Sequence, residues 1–403
     1  MSLRDKSRLE GASMHKAIVS PRQMKISGEE PLIGKLIGSV DDSDWQHLAD
    51  QITSESQFLD QNWYSSWEAK YLPFEHPNTQ IEYLSITDIN NNMQGVYPYM
   101  LISKFGIKII SSAGFYYPFR SILHSTKLTT NCAKTFVETI RHEPKGDIVR
   151  IGPSEIEQPI NQTLKAAFQS YGWMCYEINQ GDQQIVTLPG SVDEFKQSLS
   201  KNLYKNLKSR LKKLRDLGVV TIEKFNNCSS NEWAQVIEEC SNIESQSWLS
   251  GDTDVKTRIK GNEAFWKEYL ENNDAQRRAN IWLLKLNGNP ISFTFAIDSG
   301  SCRYSISGQY NAKYKKYGIG LLVDYEMLQD SIRAGLMTVN FGLGEAEYKD
   351  RWGAKPGSQL VDYVYFRPSI MGYLLYSALK VRETTRPIQY SVSRVRELNR
   401  SMH

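Results

Sequence analysis

Apolar residues along this chain switch between two periods. Across residues 41–70 they recur at helical spacing, which predicts helix. From Ile81 the period falls to two. Ile81–Ile86 and Val96–Ile102 then predict strands around the polar turn Asn90-Asn91-Asn92, and Ile107–Ser111 predicts a third. Helix is predicted over Asn131–His142, a short strand over Ile148–Gly152, and helix again over Ile160–Tyr171. The same order then returns. Ile281–Leu286 and Ile291–Ile297 flank Asn287-Gly288-Asn289-Pro290, a strong hairpin turn. Arg303–Gly308 predicts a third strand, residues 321–334 a helix, and Val339–Gly342 a short strand. Local likeness between Ile148-Val-Arg-Ile-Gly152 and Thr338-Val-Asn-Phe-Gly342 favours a duplicated unit over a chance recurrence of hairpin and helix.

Between the repeats runs a basic segment, Lys201 to Arg215. Leu203, Leu207, Leu211 and Leu214 form one apolar stripe, lysines and arginines fill the rest, and Gly218 stops the helix. The first reading is a surface helix with a solvated basic face; contact with phosphates, anionic lipid or RNA is the sharper one. Ile370–Val381 predicts an apolar helix, followed by Arg382, Arg386, Arg394, Arg396 and Arg400. A docked terminal helix is the first reading there, and contact with an anionic membrane surface the second.

Composition narrows the class. A chain of 403 residues with 40% hydrophobic and 23% charged residues suits a soluble globular protein of two or more domains. The five cysteines are scattered without a C-x-x-C, which argues against a disulfide framework or a zinc site and points to a reducing cytoplasm. No stretch reaches the roughly 20 apolar residues of a membrane-spanning helix. The polar N-terminus, lacking an apolar core, reads as a flexible tail. Past His142 the only histidine is His403, which argues against Cys–His and Ser–His–Asp hydrolysis and against a histidine metal site.

Chemistry gathers in Tyr310-Asn-Ala-Lys-Tyr-Lys-Lys-Tyr-Gly-Ile-Gly-Leu321. A strand precedes it and an amphipathic helix follows. Free backbone N–H groups and the helix dipole at such a turn favour an anion, glycines let it approach, and Lys315 and Lys316 add full charges. The segment lacks the third glycine and acidic residue of a dinucleotide fingerprint and the G-K-[ST] of a P-loop. Spacing alone leaves two readings open, a pyrophosphate site and a plain helix-capping turn.

The order Gln/Arg-x-x-Gly-x-Gly/Ala resembles the acyl-CoA pyrophosphate loop of the GNAT superfamily, with Lys315 in the Gln/Arg place. The resemblance is closer to the FemAB-like acyltransferases of the cellulose-biosynthesis CelD type. Four segments carry it over residues 195–353: Leu199 to Leu214, Glu244-Ser-Gln-Ser-Trp248 with Gly251, Tyr310 to Leu322, and Gly344-Glu-Ala-Glu-Tyr-Lys-Asp-Arg-Trp-Gly353. The chain departs from that pattern at Asn311, at Gly318-Ile319-Gly320 and at Asn340, where the family often has an acid, Ser-Pro-Gly and an aspartate.

The resemblance implies an α/β (α+β) protein of tandem GNAT-like N-acyltransferase domains, with mixed central sheets flanked by helices. The expected division is a tail over 1–25, a degenerate structural or acceptor-binding domain over 26–185, the acyltransferase domain over 186–368, and a helix with basic tail over 369–403. It implies acyl-CoA as co-substrate, held by Gln309, Lys315, Lys316, Tyr317, Gly318, Ile319, Gly320 and Leu321, and no metal. A backbone amide near Ser307–Gln309 is expected to face the thioester oxygen. Glu244 is the candidate base, against a plain helix-surface carboxylate; Glu345 and Glu347 are reserves. Tyr310 is the candidate acid, or packs. Lys349 is placed with the catalytic residues, and Trp248, Glu345, Tyr348 and Trp352 shape the acceptor pocket. Tyr348 to Trp352 reads equally as a buried strand edge. The expected acceptor is a small-molecule amine (amino sugar, amino acid or lipid precursor) of cell-envelope or exopolysaccharide biosynthesis, handled in the cytoplasm or at the inner-membrane periphery. Two alternatives stand: a FemX-like transferase using aminoacyl-tRNA on a peptidoglycan precursor, and a catalytically degenerate binding subunit. Nucleic acid enters only as tRNA in the former.

Overall fold

A computed structural model describes residues 31–51, 59, 61–70, 72–75, 79–114, 119–143, 146–247, 259–344 and 347–383. Its strands are β1 (Ile33–Ile37), β2 (Ile81–Thr87), β3 (Met93–Lys104), β4 (Ile107–Ser112), β5 (Leu123–His124), β6 (Ile148–Glu155) and β7 (Met174–Thr187) in the first half. The second half holds β8 (Val220–Phe225), β9 (Ala279–Leu286), β10 (Asn289–Ser299), β11 (Cys302–Tyr310), β12 (Thr338–Leu343) and β13 (Lys355–Phe366). All join one sheet, ordered β1-β2-β3-β4-β6-β13-β7-β12-β11-β10-β9-β8, with β5 on β3.

The duplicated order is real in three dimensions. In each half a run of antiparallel strands ends in one parallel pair bridged by a helix. Helix Thr129–His142 carries β4 over to β6, and helix Ile319–Arg333 carries β11 over to β12. Among the described residues these are the only parallel pairs, as expected where a crossover helix must return the chain.

The halves share their middle. The first part of β7 pairs with β13, while its end pairs with β12 through Thr338↔Thr187 and Val339↔Val186. The last strand, β13, lies between β6 and β7, with Leu360↔Glu155 on one side and Tyr363↔Glu177 on the other. Residues 186–368, read from sequence as the acyltransferase segment, thus lend a strand to the half before them.

Helices cover both faces of β9 and β10, so these strands are buried on each side and read as nearly continuous hydrophobic runs. On one face Phe293, Phe295 and Ile297 of β10 meet Trp266 and helix Ser230–Ser245. On the other Trp282, Leu284 and Ala296 meet Val323, Met327 and Leu328 of helix Ile319–Arg333. The far end of that helix is anchored by buried Arg303. Its guanidinium donates to Asp298 at 2.6 and 2.7 Å, to Asp330 at 3.1 Å and to Ser331 at 2.9 Å, and lies over the Trp282 ring. With its C-terminal half fixed, the helix holds its N-terminus steady.

Several expectations need revision. The helical stretch 41–70 contains two helices, Asp42–Ala49 and Gln61–Lys70, with residues 52–58 outside the described set. Tyr348 to Trp352 is no strand edge: Glu347–Arg351 is a short helix, braced by an Arg351–Glu347 pair one turn apart. Strands β1, β5, β7, β8 and β13 were not anticipated. β7 and β13 carry polar residues (Asn179, Gln180, Asp182, Gln359, Asp362) that blur alternation.

Candidate active site

The parallel partners β11 and β12 touch only at their first residues, Cys302↔Thr338, Arg303↔Val339 and Tyr304↔Asn340. Beyond that they part. β11 steps through a bulge between Ser305 and Ser307 and runs to Tyr310 beside β10. β12 turns to follow β7, and two side chains hold it there. Asn340 donates to Gln183 Oε1 at 2.5 Å and accepts from the Gly342 N–H at 2.8 Å. Buried Lys349 donates to the carbonyls of Leu343 and Gly344 at 2.8 and 2.9 Å and of Gly342 at 3.4 Å. A wedge therefore opens along β11.

Ladder alternation decides what faces the wedge. The Asn311 N–H donates to Ile291 O at 2.9 Å, so Asn311 and, by period two, Gln309 and Ser307 turn their backbone groups to β10. The backbone groups of Gly308 and Tyr310 then turn toward the wedge. Within Ser307–Gln309 the amide that faces away from β10 is that of Gly308, with Tyr310 beyond it.

At the end of β11 the chain makes a short 3-10 helix, Ala312–Tyr317, started by Asn311, whose side chain accepts from the Lys313 N–H at 3.0 Å. Gly318 follows in the left-handed region at φ 58 and caps helix Ile319–Arg333. The unpaired N–H groups of this helix start at Ile319, Gly320 and Leu321. Ile319 is buried, while Gly318, Gly320 and Leu321 are half-buried and Lys315 and Lys316 exposed. Tyr317 is half-buried with Lys316 Nζ 5.2 Å from its ring centroid. The Tyr310 ring packs against Gly320, 3.4 Å from where a β-carbon would stand.

The basic helix Lys201–Arg215 lies beside this turn. Arg210 covers Gly318, and Leu203, Asn206, Leu207 and Arg210 form one wall of a cleft whose other wall is Leu321 and Arg351, with a volume of ≈ 300 Å³. Neither arginine was singled out from sequence. Arg210 follows Leu207 by three residues, at the border of the apolar stripe, which was the available signal.

On the opposite face of β11 sits Glu244, 1% exposed, at the end of helix Ser230–Ser245. It is no surface carboxylate. Its oxygens accept from the Ser307 hydroxyl at 2.9 Å and from the N–H groups of Ile259 and Lys260 at 3.2 and 2.7 Å. The next residues tie the helix to the turn: Ala312 N–H donates to Gln246 O, and Asn311 to Gln246 Oε1. Trp248, Gly251 and Glu345 lie outside the described residues.

One carboxyl was missed by sequence reasoning. Asp324, in the second turn of helix Ile319–Arg333, accepts from Thr294 Oγ1 at 2.9 Å, and Thr294 Oγ1 in turn lies 3.4 Å from the β-carbon position of Gly308. Burial pushes the Asp324 pKa up to about 6, with Thr294 and the Trp352 indole opposing. That indole N–H is buried without reaching hydrogen-bond geometry. Tyr348 is within electrostatic range of the same carboxyl. Trp352 stacks on Tyr325, and Phe195 adjoins both rings. The structure thus brings Tyr348 and Trp352 to Asp324, and Tyr310 to Gly320. Glu347 is exposed and paired with Arg351.

Residues 201–350 match the family model described as an acetyltransferase (GNAT) domain. Among solved structures, that of FemX shares the fold at a TM-score of 0.56 and 12% identity, covering 85% of this chain and 99% of FemX. A domain assigned as the C-terminal part of a lysylphosphatidylglycerol synthetase from Agrobacterium fabrum aligns at a TM-score of 0.50 and 10% identity, covering 84% of this chain and 94% of that domain. No curated protein sequence matches the chain. Residues 201–350 thus resemble an acetyltransferase (GNAT) domain, set in a mixed α/β fold that the chain shares with FemX.

Proposed function

We propose that this protein transfers an acyl group from acyl-CoA to an amine. The observation that carries the reading is the β11–β12 wedge leading to a half-open, left-handed glycine turn at the head of a well-anchored helix. The residues suit a diphosphate there: helix N–H groups from Ile319 to Leu321, exposed Lys315 and Lys316, and Arg210 and Arg351 at the cleft walls. Bound acyl-CoA would supply a thioester, a carbonyl activated toward an amine.

The chain's own groups then have distinct tasks. Backbone N–H groups of Gly308 or Tyr310 are turned to receive charge on the thioester oxygen. The attacking amine must lose a proton as its C–N bond forms and the C–S bond breaks. Asp324, with its pKa near 6, suits that proton better than Glu244, whose oxygens are already engaged by two backbone amides and a hydroxyl. Glu244 braces Ser307 and thereby the strand. Tyr310, Tyr348 and Trp352 line the approach, and Lys349 holds the wedge open rather than reacting. The acceptor belongs to the amino sugar, amino acid or lipid-precursor class, in keeping with a role in envelope or exopolysaccharide synthesis.

Thermal unfolding in a series of acyl-CoAs tests this. A saturable rise in melting temperature with one chain length, absent in Gly320→Glu, is expected. No rise with any acyl-CoA overturns the reading. A second reading, an aminoacyl-tRNA donor, draws on the exposed Lys201, Lys205, Lys208, Lys212, Lys213 and Arg215 beside the cleft. Binding of charged tRNA with a steep salt dependence would favour it.

A further inference from the structure

The turn joining β3 to β4 is built from an unsuited residue. Phe105 (φ 52) and Gly106 (φ 78) both lie in the left-handed region, the geometry of a type I′ hairpin turn. Such turns favour Asn-Gly, because an aromatic side chain at positive φ is strained. Phe105 is also 92% exposed, so its ring gains nothing from the protein core. Exposed Lys104 and Lys108 flank it. A side chain unfavourable in both conformation and solvation points to a contact outside the chain.

A second apolar surface lies at the same end of the sheet. At the foot of that hairpin the Asp147 N–H donates to Lys108 O at 2.8 Å and its carboxylate accepts from the Lys108 N–H at 2.9 Å, while the Arg367 N–H donates to Asp147 O at 3.0 Å. Three residues on, helix 370–383 begins. At 100° per residue its inner face is Gly372, Leu375, Tyr376 and Leu379, and Tyr376 packs on Phe366 and Tyr176. Its outer face is apolar instead of polar: Ile370 is 83% exposed and Leu374 61%, with Met371, Tyr373 and Val381 also exposed. Lys380 and Arg382 border this stripe, Lys380 also meeting Glu383. The following residues, 384–403, contain four arginines against one glutamate.

We propose that this end of the sheet rests on an anionic lipid surface, with Phe105 and the outer stripe of helix 370–383 in the headgroup region and the flanking lysines and arginines on lipid phosphates. The charge decides the occupant. An apolar stripe edged by cations is complementary to acyl chains beneath a negative headgroup layer, whereas a second copy would bring the same cations against each other. The proposal stands independently of acyl transfer.

Vesicle co-sedimentation of the full chain tests it, using phosphatidylcholine alone and phosphatidylcholine mixed with phosphatidylglycerol. Binding to the mixed vesicles only is expected. Phe105→Asn supplies a better turn residue, and Leu374→Asp alters an exposed site, so both variants should fold. Each should weaken binding roughly tenfold, with any acyl-CoA response unchanged. Three results would overturn the proposal: no binding of the wild type, variants that bind as the wild type does, or a self-associating wild type that Leu374→Asp renders monomeric.

Discussion

A β-carbon built on Gly318 would stand 1.9 Å from Arg210 Nη1. The guanidinium occupies the space that the missing side chain leaves, so the basic helix and the glycine turn are fitted to each other. Gly318→Ala should therefore act twice. The left-handed conformation alone costs about 1–2 kcal/mol, and the methyl expels Arg210. A melting temperature lowered by several degrees is expected, with a reduced acyl-CoA response. Arg210→Ala should keep the fold and weaken acyl-CoA binding roughly tenfold, read by calorimetric titration.

Asp324 makes stability depend on pH in a set direction. Its folded pKa of about 6 lies above the ordinary 3.8, so the folded state binds more protons between those values. The stability this gives is complete below pH 3.8 and lost as pH rises through 6. Asp324→Asn should thus be more stable than the wild type at pH 8, by about 1–3 kcal/mol, with the gap closing toward pH 4. Urea unfolding at both pH values checks this. The same variant should transfer acyl groups poorly.

Lys349 is expected to matter for structure. Lys349→Met leaves the carbonyls at the end of β12 without their donor, a loss of about 1–3 kcal/mol. Burial lowers the lysine pKa to about 8 from 10.5, so the unfolded chain binds more protons across that window. Wild-type stability should rise relative to the variant between pH 8 and 10.5, measurable by denaturant titration.

Glu244→Gln replaces an acceptor-only group with an amide whose NH₂ confronts the Ile259 or Lys260 N–H or the Ser307 hydroxyl. A loss of about 1–3 kcal/mol is expected, with the pH profile of transfer unshifted. A wild-type-like stability with a displaced pH profile would instead mark Glu244 as the base.

The hairpins, the glycine turn and the basic helix were legible in the sequence because each rests on local chemistry: period, turn residues, charge. β7 and β13 were not, because strands fed by partners far along the chain need no clean alternation of their own. Glu244 was found from a family resemblance but its burial was not, since nothing local announces that Ser307, Ile259 and Lys260 converge on it. Asp324 has no local mark in the sequence that sets it apart from the other acids of its helix, Glu326 and Asp330. Its environment comes from Thr294 and Trp352, which are 30 residues before it and 28 after.

The position of β13 bears on how the chain is made. Until residues 355–366 leave the ribosome, β6 and β7 of the nascent protein present bare ladder edges to each other, with a gap that no earlier segment fills. The first half, though translated long before, cannot close until nearly the last of the described residues arrive. A fragment stopping at residue 350 would keep the whole matched GNAT stretch and still be left with that slot, a template for aggregation.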